Sequence, residues 1–229
     1  MQGLSWWWFL AVIGAIAAIV IVMKFMRAGG GQTIRLPEIR THSSTSIEEA
    51  IGQRRSVRLY KNEPLVVTEV AQLLWACQGV TDKQRLLRAT PSAGALYPLE
   101  IYLVVGDVKG LSSGIFKYNS LKHELSKMLD GDQRVALSEA AFSQQWVHQA
   151  AAAIVICANY KNVEKKYNQR AHQYVHMEVG AAAENVYLQA TALGMGTVLV
   201  GAFDDDAVQK IIGSEQDEIP LCILPIGKK

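Results

Sequence analysis

The chain has 229 residues, 50% of them apolar, which is enough for one ordinary core and short for two. A net charge of +2 with 19% charged residues, and no pattern of aromatic residues interleaved with basic ones, argues against nucleic acid as a partner. Cys77, Cys157 and Cys222 are scattered in apolar runs with no C-x-x-C pair, so buried thiols are expected and a disulfide framework is not.

Ahead of any charge, Trp6 to Met23 reads WWWFLAVIGAIAAIVIVM. About eighteen such residues rising 1.5 Å each span roughly 27 Å, close to a bilayer's hydrocarbon thickness. Trp6, Trp7 and Trp8 suit an interfacial aromatic belt. Lys24, Arg27, Arg35 and Arg40 all follow the segment, which places its far side in the cytoplasm. The basic stretch that opens a cleaved leader is missing. The expectation is therefore a single-pass transmembrane helix over residues 1–27, a linker over 28–45 built on AGGGQT and THSSTS, and one globular domain over 46–229.

Ser46 with Glu49 three residues on is a capping box that starts a helix. In TEVAQLLWACQG, Thr68 can cap a second helix whose face is Val70, Leu73, Leu74 and Cys77, closed by Gly79. IYLVV, from Ile101, reads as a buried strand, and GIFKYNSLKHELSKM as a hairpin. DQRVALSEAAF is helical, and Ala151 to Ala158 is a short buried strand. A long helix begins at Tyr167 or Ala171 and stops at Gly194. After it come a strand in GTVLVGAF, a helix from Asp204 to Gly213 and a last strand in PLCILPIG. Helices and strands intersperse without regular alternation, which predicts an α+β fold in one domain. On the long helix, Val175, Val179, Ala182, Ala183, Val186 and Ala190 keep helical spacing around a run of very small residues. That suits a central core helix, a dimer interface, or both.

Three stretches could carry chemistry. Arg54, Arg55, Ser56 and Arg58 put three guanidinium groups and a hydroxyl within five residues, a set that suits phosphate oxygens and equally a solvated charge run. PSAGALYPLE, from Pro91, is a stiff turn of small residues entering a strand, open to a flat ligand or simply a tight loop. Gly201 and Ala202 close LGMGTVLVGAF, where the glycines follow a helix and precede a strand, the reverse of the dinucleotide fingerprint. Lys166-Tyr167, at the entry to the long helix, could be surface residues or an acid–base pair. His172 and His176 share a helix face, but with no third ligand no metal site is expected. Taken together, these segments suggest one extended phosphorylated cofactor held by distant parts of the chain.

RRSVRLY, PSAGALYPLEIYLV, HMEVGAAAENVYLQATALGMGTVLVGAFD and PLCILPIG occur in this order over residues 46 to 227. In that order they resemble the FMN-dependent nitroreductase superfamily, and PSAGALYP with EVGAAAENVYLQA is most similar to its SagB-type (thiazole/oxazole) dehydrogenases. The resemblance implies a nitroreductase-like α+β fold, a mostly antiparallel central sheet flanked by helices, in an intertwined homodimer with FMN at the interface. By the same resemblance, Arg54, Ser56 and Arg58, helped by Arg55, contact the flavin phosphate and pyrimidine edge. Pro91, Ser92, Ala93, Gly94, Ala95 and Leu96 form the turn along the isoalloxazine. Leu199, Val200, Gly201 and Ala202 lie over its other side, with the Gly201 N–H near N5. Lys166 and Tyr167 resemble the pair assigned to proton removal in azoline dehydrogenases. Many relatives carry an Arg-bearing tail after the last strand, and here Lys228 or Lys229 would take its place, or nothing does.

The implied activity is ping-pong hydride transfer through FMN, and the SagB-type likeness implies oxidation of a peptide azoline or similar C–N compound. The broader family implies NAD(P)H-driven reduction of a nitro or quinone acceptor instead. A non-catalytic flavin-binding scaffold is the reading from another class.

Overall fold

The architecture comes from a computed structural model, which describes residues 32–229. A seven-stranded sheet carries the fold: β1 (Thr33–Arg35), β2 (Leu99–Val105), β3 (Gly114–Asn119), β4 (Glu124–Asp130), β5 (Ala152–Asn159), β6 (Met195–Thr197) and β7 (Glu218–Lys228), in the order β1-β4-β3-β2-β5-β7-β6. Pairings from β4 through to β6 are antiparallel. The helices are α1 (Ile47–Gln53), α2 (Val67–Gln78), α3 (Arg134–Ala140), α4 (Gln145–Gln149), α5 (Lys161–Tyr167), α6 (Arg170–Ala192) and α7 (Asp205–Ile212).

Both faces of the sheet are covered, so its central strands are apolar throughout rather than alternating. Leu99, Ile101, Leu103, Ile154 and Ile156 face a core closed by α2 and α6. Tyr102, Val104, Val155 and Cys157 face a second core closed by α3, α4 and α7. Each fully buried Leu or Ile contributes on the order of 1.5–3 kcal/mol of transfer free energy. Cys77, Cys157 and Cys222 are free and buried, one in α2, one in β5 and one in β7. Burial pushes all three thiols up, that of Cys222 to about 12.

The capping box at Ser46 forms as expected: its hydroxyl accepts from the Glu49 N–H at 3.1 Å, and the Glu49 carboxylate accepts from the Ser46 N–H at 2.9 Å. At α2 the cap falls two residues earlier than Thr68, at Val66, which has no side-chain acceptor, so only the return half of that device forms, with the Glu69 carboxylate accepting from the Val66 N–H at 3.0 Å. The long helix, α6, begins close to the later of its two expected starts, because Asn168 at a φ of 49° ends the separate short helix α5 at Tyr167.

Two expectations are corrected. The membrane-spanning part of the predicted fold, with its cytoplasm-facing anchored domain, finds no place in the described architecture. No helix among the described residues is long and apolar enough to cross a membrane. The longest, α6, has 23 residues but carries Arg170, His172, Glu178, Glu184 and Asn185. The stretch on which the expectation rested, residues 1–27, lies outside the described residues, and the membrane assignment is withdrawn. The segment read as linker also contributes structure: β1 joins the sheet edge, Leu36 is buried, and its N–H donates to the His123 carbonyl at 3.1 Å.

Gly196 and Gly227 are cross-strand partners on β6 and β7. A Cβ at Gly196 would meet the Val57 side chain at 2.6 Å, and one at Gly227 would meet Tyr60 at 2.7 Å. The glycine pair is thus a flat platform over which residues 57–60 run. Gly196→Ala is expected to destabilise the fold by about 1–3 kcal/mol, since branched Val57 cannot swing aside. A lower urea midpoint with an unchanged m-value would show it; an unchanged midpoint would mean that the segment shifts freely.

Candidate active site

Arg54 is the C-cap of α1, its N–H donating to the Ala50 carbonyl. Beyond it the chain is extended, and Ser56 bridges Thr197 at the end of β6. The Val57 N–H donates to the Thr197 carbonyl at 2.9 Å. Tyr187, on the buried face of α6, gathers this region. Its hydroxyl lies 3.2 Å from Ser56 Oγ and accepts from the Leu199 N–H at 2.7 Å. The Arg54 guanidinium sits over its ring at 5.1 Å and 3.5 Å from the Glu184 carboxylate. Arg58 lies over Trp146 of α4 at 5.5 Å. The structure therefore brings Arg54 and Ser56 together with Leu199, through a tyrosine that sequence reasoning missed. The signal was available, because a Tyr on a buried helix face needs a partner for its hydroxyl.

The expected strand through GTVLVGAF stops early. After Thr197, only Val200 keeps a ladder position, exchanging hydrogen bonds with Ile223, while Leu199, Gly201 and Ala202 are exposed. The Ala202 carbonyl accepts from the Gln144 side chain at 2.9 Å, which ties this edge to the loop between α3 and α4. In that loop Phe142 and Ser143 take consecutive left-handed conformations, and Phe142 is 68% exposed. Arg55 turns away: its guanidinium donates to the Gly52 and Arg54 carbonyls at the end of α1. Lys228 is committed elsewhere, in an ion pair with Glu69.

The second cluster surrounds the turn at residues 91–97. Ala93–Ala95 make a single 3₁₀ turn in which Gly94 and Ala95, followed by Tyr97, adopt φ values of 61°, 53° and 48°. Left-handed Ala and Tyr cost energy, and the contacts that hold them are visible. Ser92 Oγ accepts from the Tyr97 N–H at 2.8 Å, the Tyr97 hydroxyl accepts from the Arg88 N–H, and the Arg88 guanidinium lies over the Tyr97 ring at 4.5 Å. Pro91 and Gly94 are exposed, and Leu96 is half-buried against the core. Lys166 and Tyr167 reach this turn: a Cβ on Gly94 would meet Lys166 Nζ at 2.5 Å and the Tyr167 hydroxyl at 2.6 Å. Tyr167 packs edge-on against Tyr174. The pair and the turn, about 70 residues apart in the chain, are thus neighbours. Beneath them, a cleft of about 310 Å³ is lined by Pro91, Ser92, Ala93, Tyr174, Met177 and Glu178.

Glu178 itself was not singled out in the sequence. It is only 4% exposed, and burial pushes its carboxyl up to about 7 against the opposing effects of Ser92, Gln78 and Arg88. The two clusters sit on different stretches of α6, with Glu178 and Tyr187 about 13 Å apart along the axis. His172 and His176 face α5 and the residue before it: His172 stacks on Tyr160 and lies 3.3 Å from Glu164, and His176 is 3.2 Å from the Tyr160 hydroxyl.

As a donor set, Arg54, Arg58 and the Ser56 hydroxyl fit a phosphate. Beside them, Thr197 Oγ1 and Trp146 Nε1 are buried without partners, which leaves polar capacity to spare on this edge. Exposed backbone at Gly201 and Ala202 fits the approach of a planar group.

Residues 51–228 match the model of the nitroreductase family. A nitroreductase homologue of Methanocaldococcus jannaschii is 42% identical over 201 residues, covering 88% of this chain and 98% of that protein. The microcin B17-processing protein McbC of Escherichia coli is 24% identical over 169 residues, 71% of this chain and 62% of that one. Among solved structures, the E. coli microcin synthetase McbBCD complex with truncated pro-MccB17 bound superposes with a TM-score of 0.67 at 18% identity, covering 92% of both chains. The NADPH:FMN oxidoreductase of Vibrio harveyi complexed with NAD+ gives a TM-score of 0.57 at 19% identity, covering 80% of this chain and 68% of that one. With its matched core spanning most of its length and its relatives extending into the McbC, SagB-like group, the chain belongs to the nitroreductase family of oxidoreductases.

Proposed function

We propose that the chain is an FMN-dependent oxidoreductase that works as a homodimer, with Arg54, Ser56 and Arg58 holding the flavin phosphate. When bound, FMN supplies hydride acceptance and donation at N5. The guanidinium groups neutralise the phosphate, the residue 91–96 turn and the Leu199–Ala202 edge bound a flat space, and Lys166 and Tyr167 move a proton. The turn lies by Glu178 and the edge by Tyr187, on different stretches of α6, which favours assembly of the space from two protomers. Exposed Met177 and Gly180 on the outer face of α6 offer the close contact such a dimer needs.

The observation that carries the reading is the placement of Lys166 and Tyr167 over Gly94. A proton-handling pair beside the turn that bounds the flavin space suits dehydrogenation of an azoline or similar C–N bond, in which the substrate loses a proton to the pair and a hydride to the cofactor. The NADPH:FMN oxidoreductase and the M. jannaschii homologue favour a second reading, NAD(P)H-driven reduction of a nitro or quinone acceptor. Visible absorption of the purified full-length chain, with the released chromophore weighed by mass spectrometry, tests the common part. A two-band flavin spectrum with the mass of FMN is expected. A colourless protein that takes up no added FMN would overturn both readings and leave a scaffold.

A further inference from the structure

Two hydrogen bonds meet at the Tyr187 hydroxyl, and together they fix which way its proton points. The Leu199 N–H donates to it at 2.7 Å, and a backbone amide cannot accept in return. Ser56 Oγ, at 3.2 Å, is its only other partner among the described residues. Thr197 Oγ1, buried on the same edge, bonds to neither hydroxyl. Tyr187 is only 7% exposed, so a phenol proton that missed Ser56 would be stranded without an acceptor, whereas Ser56 is exposed and its own proton meets no such penalty. Tyr187 therefore donates to Ser56, and the Ser56 O–H is left to donate outward.

Both ends of this chain are held. Ser56 bridges Thr197, and the Val57 N–H donates to the Thr197 carbonyl at 2.9 Å. Just past Leu199, Val200 exchanges hydrogen bonds with Ile223 of β7 at 2.8 and 2.9 Å. Three donors thus stand in line: the Leu199 N–H, the Tyr187 O–H and the Ser56 O–H. Each polarises the next, so an anion accepting from Ser56 strengthens both bonds behind it. The Arg54 guanidinium, over the same Tyr187 ring at 5.1 Å, supplies positive charge beside this chain.

We propose that Tyr187 is a positioning residue: it aims the Ser56 hydroxyl at a phosphate group and relays occupancy of that seat to the Leu199–Ala202 edge. The phosphate end of a ligand then tightens the edge against its flat end. Identifying that ligand as FMN rests on the reading above; the relay from Ser56 to Leu199 needs only a phosphate. The edge has room to be tightened, because Leu199, Gly201 and Ala202 are exposed and only Val200 keeps a ladder position. A flavin without its phosphate would lose the charged contact and this ordering of the edge together.

The experiment uses the full-length protein as wild type, Tyr187→Phe, Ser56→Ala and the double variant. Tyr187→Phe keeps the ring beneath Arg54 and removes only the hydroxyl. FMN affinity, read by fluorescence quenching, is expected to fall about 10–100-fold in Ser56→Ala and about 5–20-fold in Tyr187→Phe, as a charge-assisted hydrogen bond is lost in one and misdirected in the other. The double variant should bind at least about threefold more tightly than the two losses multiplied would give, and riboflavin, which has no phosphate, should show no such coupling. Additive losses, or equal coupling with riboflavin, would mark a merely structural contact and overturn the proposal. Amide hydrogen exchange with inorganic phosphate as the probe gives a second readout. Phosphate should slow exchange at Leu199 about 2–10-fold in wild type and leave it unchanged in Ser56→Ala, a pair that decides even should Tyr187→Phe fail to fold. Phosphate binding without that slowing overturns the relay. If wild type takes up phosphate but no FMN, the cofactor reading falls and Leu199 still decides the relay; if it takes up neither, both fall.

Discussion

Arg54→Ala is expected to leave the protein colourless, with FMN affinity lowered about 100-fold or more. A charge-assisted hydrogen bond contributes roughly 1.5–3 kcal/mol, and a bidentate arginine makes two. Arg54 is well placed to make them. Anchored as the C-cap of α1, it is aligned over Tyr187 and held only loosely by Glu184 at 3.5 Å. Loss of its cation–π contact should cost the fold about 1 kcal/mol or less, so a colourless variant would still be a folded one. Equilibrium dialysis against FMN, with circular dichroism as the control, measures both. Retention of flavin within a few-fold of wild type would mean that the phosphate binds elsewhere. A protein that acts as a scaffold would lose its colour in this variant yet keep its partner.

The second large effect is expected from Tyr167→Phe and Lys166→Ala. General acid–base groups contribute about 10²–10⁴-fold in rate. Oxidation of a synthetic azoline peptide should fall by that factor in both variants, with FMN retention unchanged. NADPH-driven reduction of a quinone, which asks little of a proton donor, should stay within a few-fold of wild type. Stopped-flow absorbance of the flavin, followed with each substrate, separates the two. Equal loss of both activities would show that the pair only props up the turn at Gly94. An active quinone reductase that leaves the azoline peptide untouched would favour the nitro or quinone reading.

Much of this molecule could be read from local pattern. Ser46 with Glu49, and Asp204 with its helix closed by Gly213, announce themselves because a cap needs only residues a few positions apart. The apolar runs of β2 and β5 were legible for the same reason. Where the reading faltered, the deciding contact was distant in sequence. Tyr187 matters because Ser56 and Leu199 come to it from either side of the chain. Leu199 to Ala202 looks like strand by composition, yet β7 pairs with it only at Val200. Glu178 reads as one more polar residue on a long helix, and its burial becomes visible only once Gln78, 100 residues earlier, donates to it. The edge strand β1 escaped notice because Thr-Ile-Arg, only three residues long, sits between polar stretches that read as linker.

The three buried thiols give the molecule a built-in clock. Closed inside α2, β5 and β7, with their acidity suppressed, Cys77, Cys157 and Cys222 cannot react with an alkylating reagent until their own layer opens. Cys77 and Cys222, in the core closed by α2 and α6, would therefore date the opening of one face of the sheet and Cys157 that of the other, and their order, read by mass after timed pulses of reagent, would record which core comes apart first.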